Sequence, residues 1–298
     1  MATEGGGSLD YDPLLRPRLT AEAARVIRAF SFAGAHVVVV GGLVPSLLVP
    51  HPEPGLEPHV GTQDLDLCLS IALVEGDVGN YERLERCLKD AGFRMAREQG
   101  TSVSWRWLGG VDLPLTVEFF CPPGEDRAPG KLFRPGGVVG GKLSAMVLAA
   151  GRLIDSDTRN VEIDVQLPGG GGKTRQAIKV VGPGAYLAAK ADALRRRTKN
   201  KDAYDTVWMA ESWPGGQPAL AEEIYRGGRL LGDAEFQQAL EILRQEFATI
   251  DSAGAIKYAR FMADDGTSPD ALARRAVGAI SRLLVELDGL RAPAKAAG

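Results

Sequence analysis

The sequence predicts an α+β fold: a mixed-sheet domain over residues 1–182 and a helical C-terminal domain over residues 183–298. Two observations set that division. Runs that are β-branched or alternate polar with apolar residues recur up to residue 181: HVVVV, DLDLCLSI, TSVSWRWL, PLTVEFF, VEIDVQL and QAIKVV. Beyond Gly182 they stop. Stretches with helical spacing then follow one another, from GAYLAAKADALRRR and KDAYDTVWMAESW to SPDALARRAVGAISRLLVELDGL.

The elements are read in chain order. Residues 1–18 are rich in Gly and Pro and are expected to be loose. TAEAARVIRAFSFAG reads as a helix with Thr20 as N-cap. It leads into the strand HVVVV, which ends at Gly41-Gly42 and gives way to a short helix. Four prolines and a glycine between residues 50 and 60 predict a rigid, irregular loop. DLDLCLSI follows as a strand, and NYERLERCLKDAGF as an amphipathic helix closed by its glycine. TSVSWRWL and PLTVEFF are expected to be neighbours in one sheet, and GGKLSAMVLAAGRL reads as a helix. VEIDVQL and QAIKVV form a strand pair joined by the glycine-rich hairpin PGGGGKTR, and the tail RAPAKAAG is expected to fray. No internal repeat is present.

Composition narrows the class. A 45% hydrophobic and 24% charged chain is an ordinary globular balance. A net charge of -3 and pI of about 5.8 exclude a surface that is basic throughout, though not a local basic patch. Cys68, Cys87 and Cys121 lack CxxC spacing, which argues against a disulfide framework or a zinc site. The first residues carry no basic segment followed by an apolar core, so no signal peptide is read. Residues 33–50 are long enough to imitate a membrane span, but Gly41-Gly42 and two prolines divide them into a strand and a helix. A cytoplasmic protein with no membrane partner is expected.

The chemistry concentrates in three places. In a strand, residues i and i+2 share a face, so Asp64 and Asp66 project together while Leu65, Leu67 and Leu69 enter a core. Adjacent carboxylates repel unless a cation stands between them, and Mg²⁺ (or Mn²⁺) takes oxygen ligands it readily shares with phosphates. In LTVEFF, Glu118 is an isolated charge in an apolar strand, costly to bury without a partner. Beside DLDL it completes three carboxylates able to hold two divalent ions. One would activate an attacking hydroxyl, and the other would steady a leaving pyrophosphate. Asp112 and Asp164 compete for that third position, with Glu118 preferred. Against this stands the plain reading of an edge strand with polar residues turned outward.

The second place is Gly41-Gly42. Without side chains there, backbone N–H groups can approach a phosphate, and Ser46, one turn into the helix, can add a hydroxyl. A tight turn without a ligand is the simpler alternative. GGGGKT, at residues 169–174, imitates a Walker A loop, but GxxxxGK[ST] would need glycine at Leu167, and the segment lies between strands. It reads as a hairpin.

The third is KADALRRRTKNKDAYD. Lys190, Arg197 and Lys201 are spaced by seven and four and so fall on one helical face, with Asp205 four residues after Lys201. Lys190 and Arg197 could meet a nucleoside triphosphate (NTP), or the stretch could be a solvated face with a Lys201–Asp205 pair.

GG, DLDL, VEF and KxxALxxRxxxKDxYD, in that order over about residues 37–209, resemble the abortive-infection (AbiEii-type) nucleotidyltransferase toxins of the polymerase-β-like nucleotidyltransferase superfamily. The resemblance implies a polymerase-β-like domain with a short mixed sheet and a C-terminal helical bundle. It implies transfer of a nucleoside monophosphate from an NTP to an acceptor, with release of pyrophosphate. Gly41 and Gly42 would touch the triphosphate, Asp64 and Asp66 would bind Mg²⁺, and Lys190 would contact phosphate. Asp202 or Asp205 would take the late acidic role. Some members carry Gly-Ser at the first motif; with Gly-Gly here, a serine contact falls to Ser46. A tRNA or other RNA acceptor and a cognate antitoxin are the implied partners. Two other readings stand beside it: a nucleotidyltransferase acting on a small molecule, as antibiotic-modifying ones do, and a catalytically silent nucleotide-binding protein. Lys131, Arg134, Lys142 and Arg152, with the run at residues 195–201, favour RNA if they line one face.

Overall fold

The computed structural model describes residues 7–12, 15–32, 34, 36–69, 78–134, 143–226, 230–263 and 266–291. It divides into two compact units. A sheet unit comprises Pro13–Leu47 and Gly61–Val181, and a helical unit comprises Met1–Asp12, Leu48–Val60 and Gly182–Gly298. The helical unit therefore takes two earlier pieces of chain besides the C-terminal half.

The sheet unit is built on one mixed sheet. Its strands are β1 (Val37–Val40), β2 (Asp64–Leu69), β3 (Arg94–Glu98), β4 (Thr101–Gly109), β5 (Leu115–Cys121), β6 (Leu132–Phe133), β7 (Ala145–Val147), β8 (Thr158–Gln166) and β9 (Lys173–Val181). The order is β3-β4-β5-β2-β1-β9-β8, with β7 pairing both β5 and β6. β2 runs parallel to β5 and antiparallel to β1, and β4 runs antiparallel to β5. The alternation of DLDLCL and LTVEFFC sets which face is core. Leu65, Leu67, Leu69, Leu115, Val117 and Phe119 are all buried, with Trp107 of β4 beside them. Helix α1 (Arg16–Phe32) buries Leu19, Ala23, Val26, Ile27 and Phe30, and Phe30 meets Phe119 at 6.0 Å between ring centroids. The remaining helices of this unit are α2 (Val44–Leu48), which reaches its boundary, α3 (Val78–Asp90) and α4 (Gly151–Ser156).

Three expectations change here. Helix α1 begins at Arg16, so Thr20 is not its cap; Thr20 Oγ1 instead donates to the Arg16 carbonyl at 2.9 Å within the helix. Pro17 favours the earlier start, because its missing N–H is not needed in a first turn. The stretch read as one helix, GGKLSAMVLAAGRL, contains strand β7 and only the start of α4. Ala145 and Val147 are buried and Met146 is half-buried, a period of two that fits the slot beside β5. Its residues 140–142 lie outside the described residues, as does the tail beyond residue 291. Strands β3 and β6 were not expected; β3 (RMARE) carries few apolar residues and β6 is only two residues long, and their pairing with β4 and β7 makes them strands. The three cysteines are free, with Cys68 and Cys121 buried and Cys87 half-buried.

The helical unit holds α5 (Pro183–Arg196), α6 (Asn200–Ser212), α7 (Gly216–Arg226), α8 (Ala234–Glu246), α9 (Ala253–Phe261) and α10 (Pro269–Arg291); α5, α7, α9 and α10 pack on α6, which is buried from Asn200 to Ala210, and α8 packs on α5. The proline-rich stretch of Leu48–Val60 is tied to α6. Trp208 Nε1 donates to the Glu57 carbonyl at 3.0 Å, and the Val60 N–H donates to the Tyr204 hydroxyl at 3.1 Å. Among the described residues no helix is long and apolar enough to cross a membrane.

Candidate functional site

The sheet brings the expected carboxylates to one face. Asp64 pairs in register with Thr116, and Asp66 with Glu118, so Asp64, Asp66 and Glu118 share the face opposite the leucine core. All three are half-buried. Next in line across β5 is Arg106, in register with Glu118. Its Nε donates to Glu118 Oε1 at 2.7 Å, Nη1 meets Glu98, and the guanidinium lies 4.7 Å from the Trp105 ring centroid. Sequence reasoning missed Arg106. The available signal was a cation between two tryptophans in a strand, on the face that alternation assigns to Glu118.

Asp66 and the glycine turn are fitted to each other. Asp66 lies opposite Val40 on β1, and Gly41 comes next. Gly41 has φ +71°, and a Cβ built there would stand 1.7 Å from Asp66 Oδ2, so both backbone conformation and space demand glycine. The Gly42 N–H donates to the same oxygen at a long 3.4 Å. Ser46 is buried, and its hydroxyl has no hydrogen-bond partner among the described residues. A buried hydroxyl without a partner is costly, and it stands one turn beyond Gly42.

The two competitors for the third carboxylate are engaged elsewhere. Asp112 sits in a loop anchored by buried Glu22, which accepts from the Val111 and Asp112 N–H groups at 2.6 and 3.0 Å. The Asp112 carboxylate accepts from the Gly169 N–H at 3.3 Å. Asp164 is exposed on the β8–β9 hairpin and pairs with Arg175 through two contacts of 2.9 Å.

The helical unit gathers the third group differently from its sequence spacing. Helix α5 ends at Arg196, Arg197 is extended, and α6 starts at Asn200. In one continuous helix Lys190 and Asp202 would lie about 18 Å apart, at about 1.5 Å per residue. The break folds α6 back instead, and Lys190 Nζ donates to Asp202 Oδ1 at 2.9 Å and to Asp205 Oδ2 at 2.6 Å. The single basic face is thereby replaced by a closed network. Lys201 Nζ donates to Asp205 Oδ1 at 2.7 Å, and His59 Nε2 meets the same oxygen at 2.9 Å. Arg197 grips Asp202 through Nε at 2.7 Å and Nη2 at 3.0 Å.

Burial governs the electrostatics of this network. Burial opposes charge on Lys190, but Asp202 and Asp205 outweigh it and hold its pKa above the lysine range. Burial also works against Asp205, yet Lys190, Lys201 and His59 hold it well below the carboxylate range. Asp202 is lowered in the same way by Lys190 and Arg197. Burial draws His59 down to about 4, so it is neutral at pH 7 and donates from Nε2 to Asp205. Sequence reasoning missed His59, a histidine inside a proline-rich loop whose burial only the tertiary fold reveals. Arg197 is the member with the greatest access to solvent, its side chain 54% exposed.

Of the other basic residues, Lys131 and Arg134 join Arg127 around a cavity of about 470 Å³ that also holds Phe133 and Asp126. Arg152 is exposed on α4, and Lys142 lies outside the described residues.

Asp64 and Asp66 suit one divalent ion of the Mg²⁺ type, which commonly takes one or two carboxylates and completes its shell with phosphate oxygens and water. The three-carboxylate set fits less well. Glu118 carries Arg106, and among the described residues no group of three or more His, Cys, Asp or Glu side chains is arranged around a metal position.

No family model matches the chain, and no curated protein does. Among solved structures it is similar to an antigenic nucleotidyltransferase-like protein from Paracoccidioides brasiliensis, at 17% identity and TM-score 0.40, covering 78% of this chain and 91% of that one. It is also similar to JHP933 from Helicobacter pylori, at 12% identity and TM-score 0.40, covering 89% and 92%. At such overlap the likeness carries no inference about activity.

Proposed function

We propose that the chain is a Mg²⁺-dependent nucleotidyltransferase that moves a nucleoside monophosphate from an NTP to an acceptor hydroxyl at an RNA end, tRNA included. The acceptor oxygen bonds to the α-phosphorus as the bond to pyrophosphate breaks, and the hydroxyl proton passes to solvent water. The observation that carries the reading is the contact between Asp66 and the glycine turn. One carboxylate of an i, i+2 pair rests against Gly41 and Gly42, and the unpartnered Ser46 hydroxyl follows one turn later. That contact supports reading the carboxylate pair and the glycine turn as parts of one site.

Each residue then has a task. Asp64 and Asp66 hold the ion, which when bound draws charge from the phosphates. The Gly42 N–H and the Ser46 hydroxyl orient phosphate oxygens. In the helical unit, Lys190 and Lys201 keep Asp202 and Asp205 in place, and Asp202 holds the Arg197 guanidinium. Arg127, Lys131 and Arg134 around one cavity favour a phosphate-bearing acceptor over a neutral small molecule. Action as a toxin held by an antitoxin is the biological setting this chemistry would serve.

The test is a transfer assay with Mg²⁺, each NTP radiolabelled at the α-phosphate in turn, and total tRNA, run beside Asp66→Asn. Label on RNA from wild type and none from the variant supports the reading. NTP binding without transfer to RNA, protein or small molecule would make the chain a silent nucleotide binder and sink it.

A further inference from the structure

The carboxylate face already contains a cation. Glu118 stands between Asp66 on β2 and Arg106 on β4, in register with both, so the three side chains form one row across the sheet. Arg106 is fixed from three sides: Glu118 Oε1 at 2.7 Å, Glu98, and the Trp105 ring beneath its guanidinium. Its side chain is only 30% exposed, and that of Glu118 14%. The geometry of a guanidinium bound this way is set before any ligand arrives.

Two divalent ions over Asp64, Asp66 and Glu118 would require Glu118 to leave Arg106. They would also set a doubly charged ion beside a fixed positive group.

Resting on the reading of Asp64 and Asp66 as an ion-binding pair, we propose that this is a one-ion site in which Arg106, held by Glu118, stands in the place of a second metal. Glu118 is then a positioning residue for the arginine rather than a ligand. The leaving pyrophosphate is met by the guanidinium, whose N–H fork suits phosphate oxygens.

Counting bound Mn²⁺ by electron paramagnetic resonance, in the full chain without NTP, tests this apart from catalysis. Wild type is expected to bind one Mn²⁺ per chain, lost in Asp66→Asn. Glu118→Gln should keep that ion with affinity within about twofold, whereas a true ligand would weaken it tenfold or more. Arg106→Ala should gain a second Mn²⁺, and Arg106→Lys, which keeps the charge, should remain at one. Two ions in wild type, loss of the ion in Glu118→Gln, or one ion in both Arg106 variants would each overturn the proposal. Those outcomes would leave the transferase reading intact. Absence of Mn²⁺ from wild type would instead remove Asp64 and Asp66 as an ion pair, and the function above with them.

Discussion

The molecule contains two carboxylate clusters that look alike as sequence and differ as chemistry. On the sheet, Asp64, Asp66 and Glu118 are half-buried, and Arg106 pairs with Glu118. In the helical unit, Asp202 and Asp205 are buried and receive Lys190, Lys201, Arg197 and neutral His59. Charge taken out of water must be compensated within the fold, so the second cluster is saturated. The first is only half-buried, at a surface that water reaches. Access of that kind suits a site that a ligand enters.

The contrast breaks most readily at Asp205. Asp205→Ala strands Lys190, Lys201 and His59 without their shared acceptor and should cost about 3–5 kcal/mol of stability in urea unfolding. Asp66→Asn on the sheet should cost under about 1 kcal/mol while abolishing transfer. Equal losses in the two variants would erase the distinction between the clusters.

Acid sharpens it next. The folded pKa of His59, about 4, lies below its unfolded value near 6.5, so the unfolded chain binds the proton first. The corresponding stability is fully present above pH 6.5 and is lost as pH falls towards 4, by about 3 kcal/mol in all. Unfolding midpoints between pH 7 and 4 should fall less steeply in His59→Gln than in wild type. Parallel slopes would show that His59 is not neutral and buried in the native network. Asp202 and Asp205, lowered by their partners, act at more acid pH: their contribution is present above about pH 4 and fades below it.

Gly41→Ala comes third. The added Cβ meets Asp66 and requires a positive φ, for about 1–3 kcal/mol. In an Asp66→Gly background only the backbone strain should remain, about 1 kcal/mol. An unchanged cost would mean that Asp66 does not occupy that space. The smallest effect is Asp164→Ala on the exposed hairpin, where unfolding midpoint and transfer should both match wild type. Loss of transfer there would restore Asp164 as the third carboxylate.

What was legible in the sequence was local. Alternation in DLDLCL and LTVEFFC gave the buried and outward faces, and the side-by-side placement of TSVSWRWL and PLTVEFF follows from their adjacency in the chain. What was not legible was set across elements. Arg106 becomes the partner of Glu118 only through the β4–β5 register. Lys190 meets Asp202 because the chain turns at residues 197–199, whereas helical spacing alone strings the same residues along a line. Strand β7 holds three residues and owes its form to the neighbours that pair with it.

The bond between His59 and Asp205 joins residues 146 positions apart in the chain. Every residue of the sheet unit has been synthesised by Val181, while residues 48–60 belong to a unit whose central helix is not yet made. At about 5–20 residues per second, that loop waits on the order of ten seconds for its partners. During the wait the prolines can hold the loop extended without a core, since their φ angles are set by the ring. A nascent chain stalled with residues 61–181 clear of the exit tunnel and residues 200–212 still inside it should therefore present a protected sheet and a protease-sensitive loop at residues 48–60, and release should close that loop.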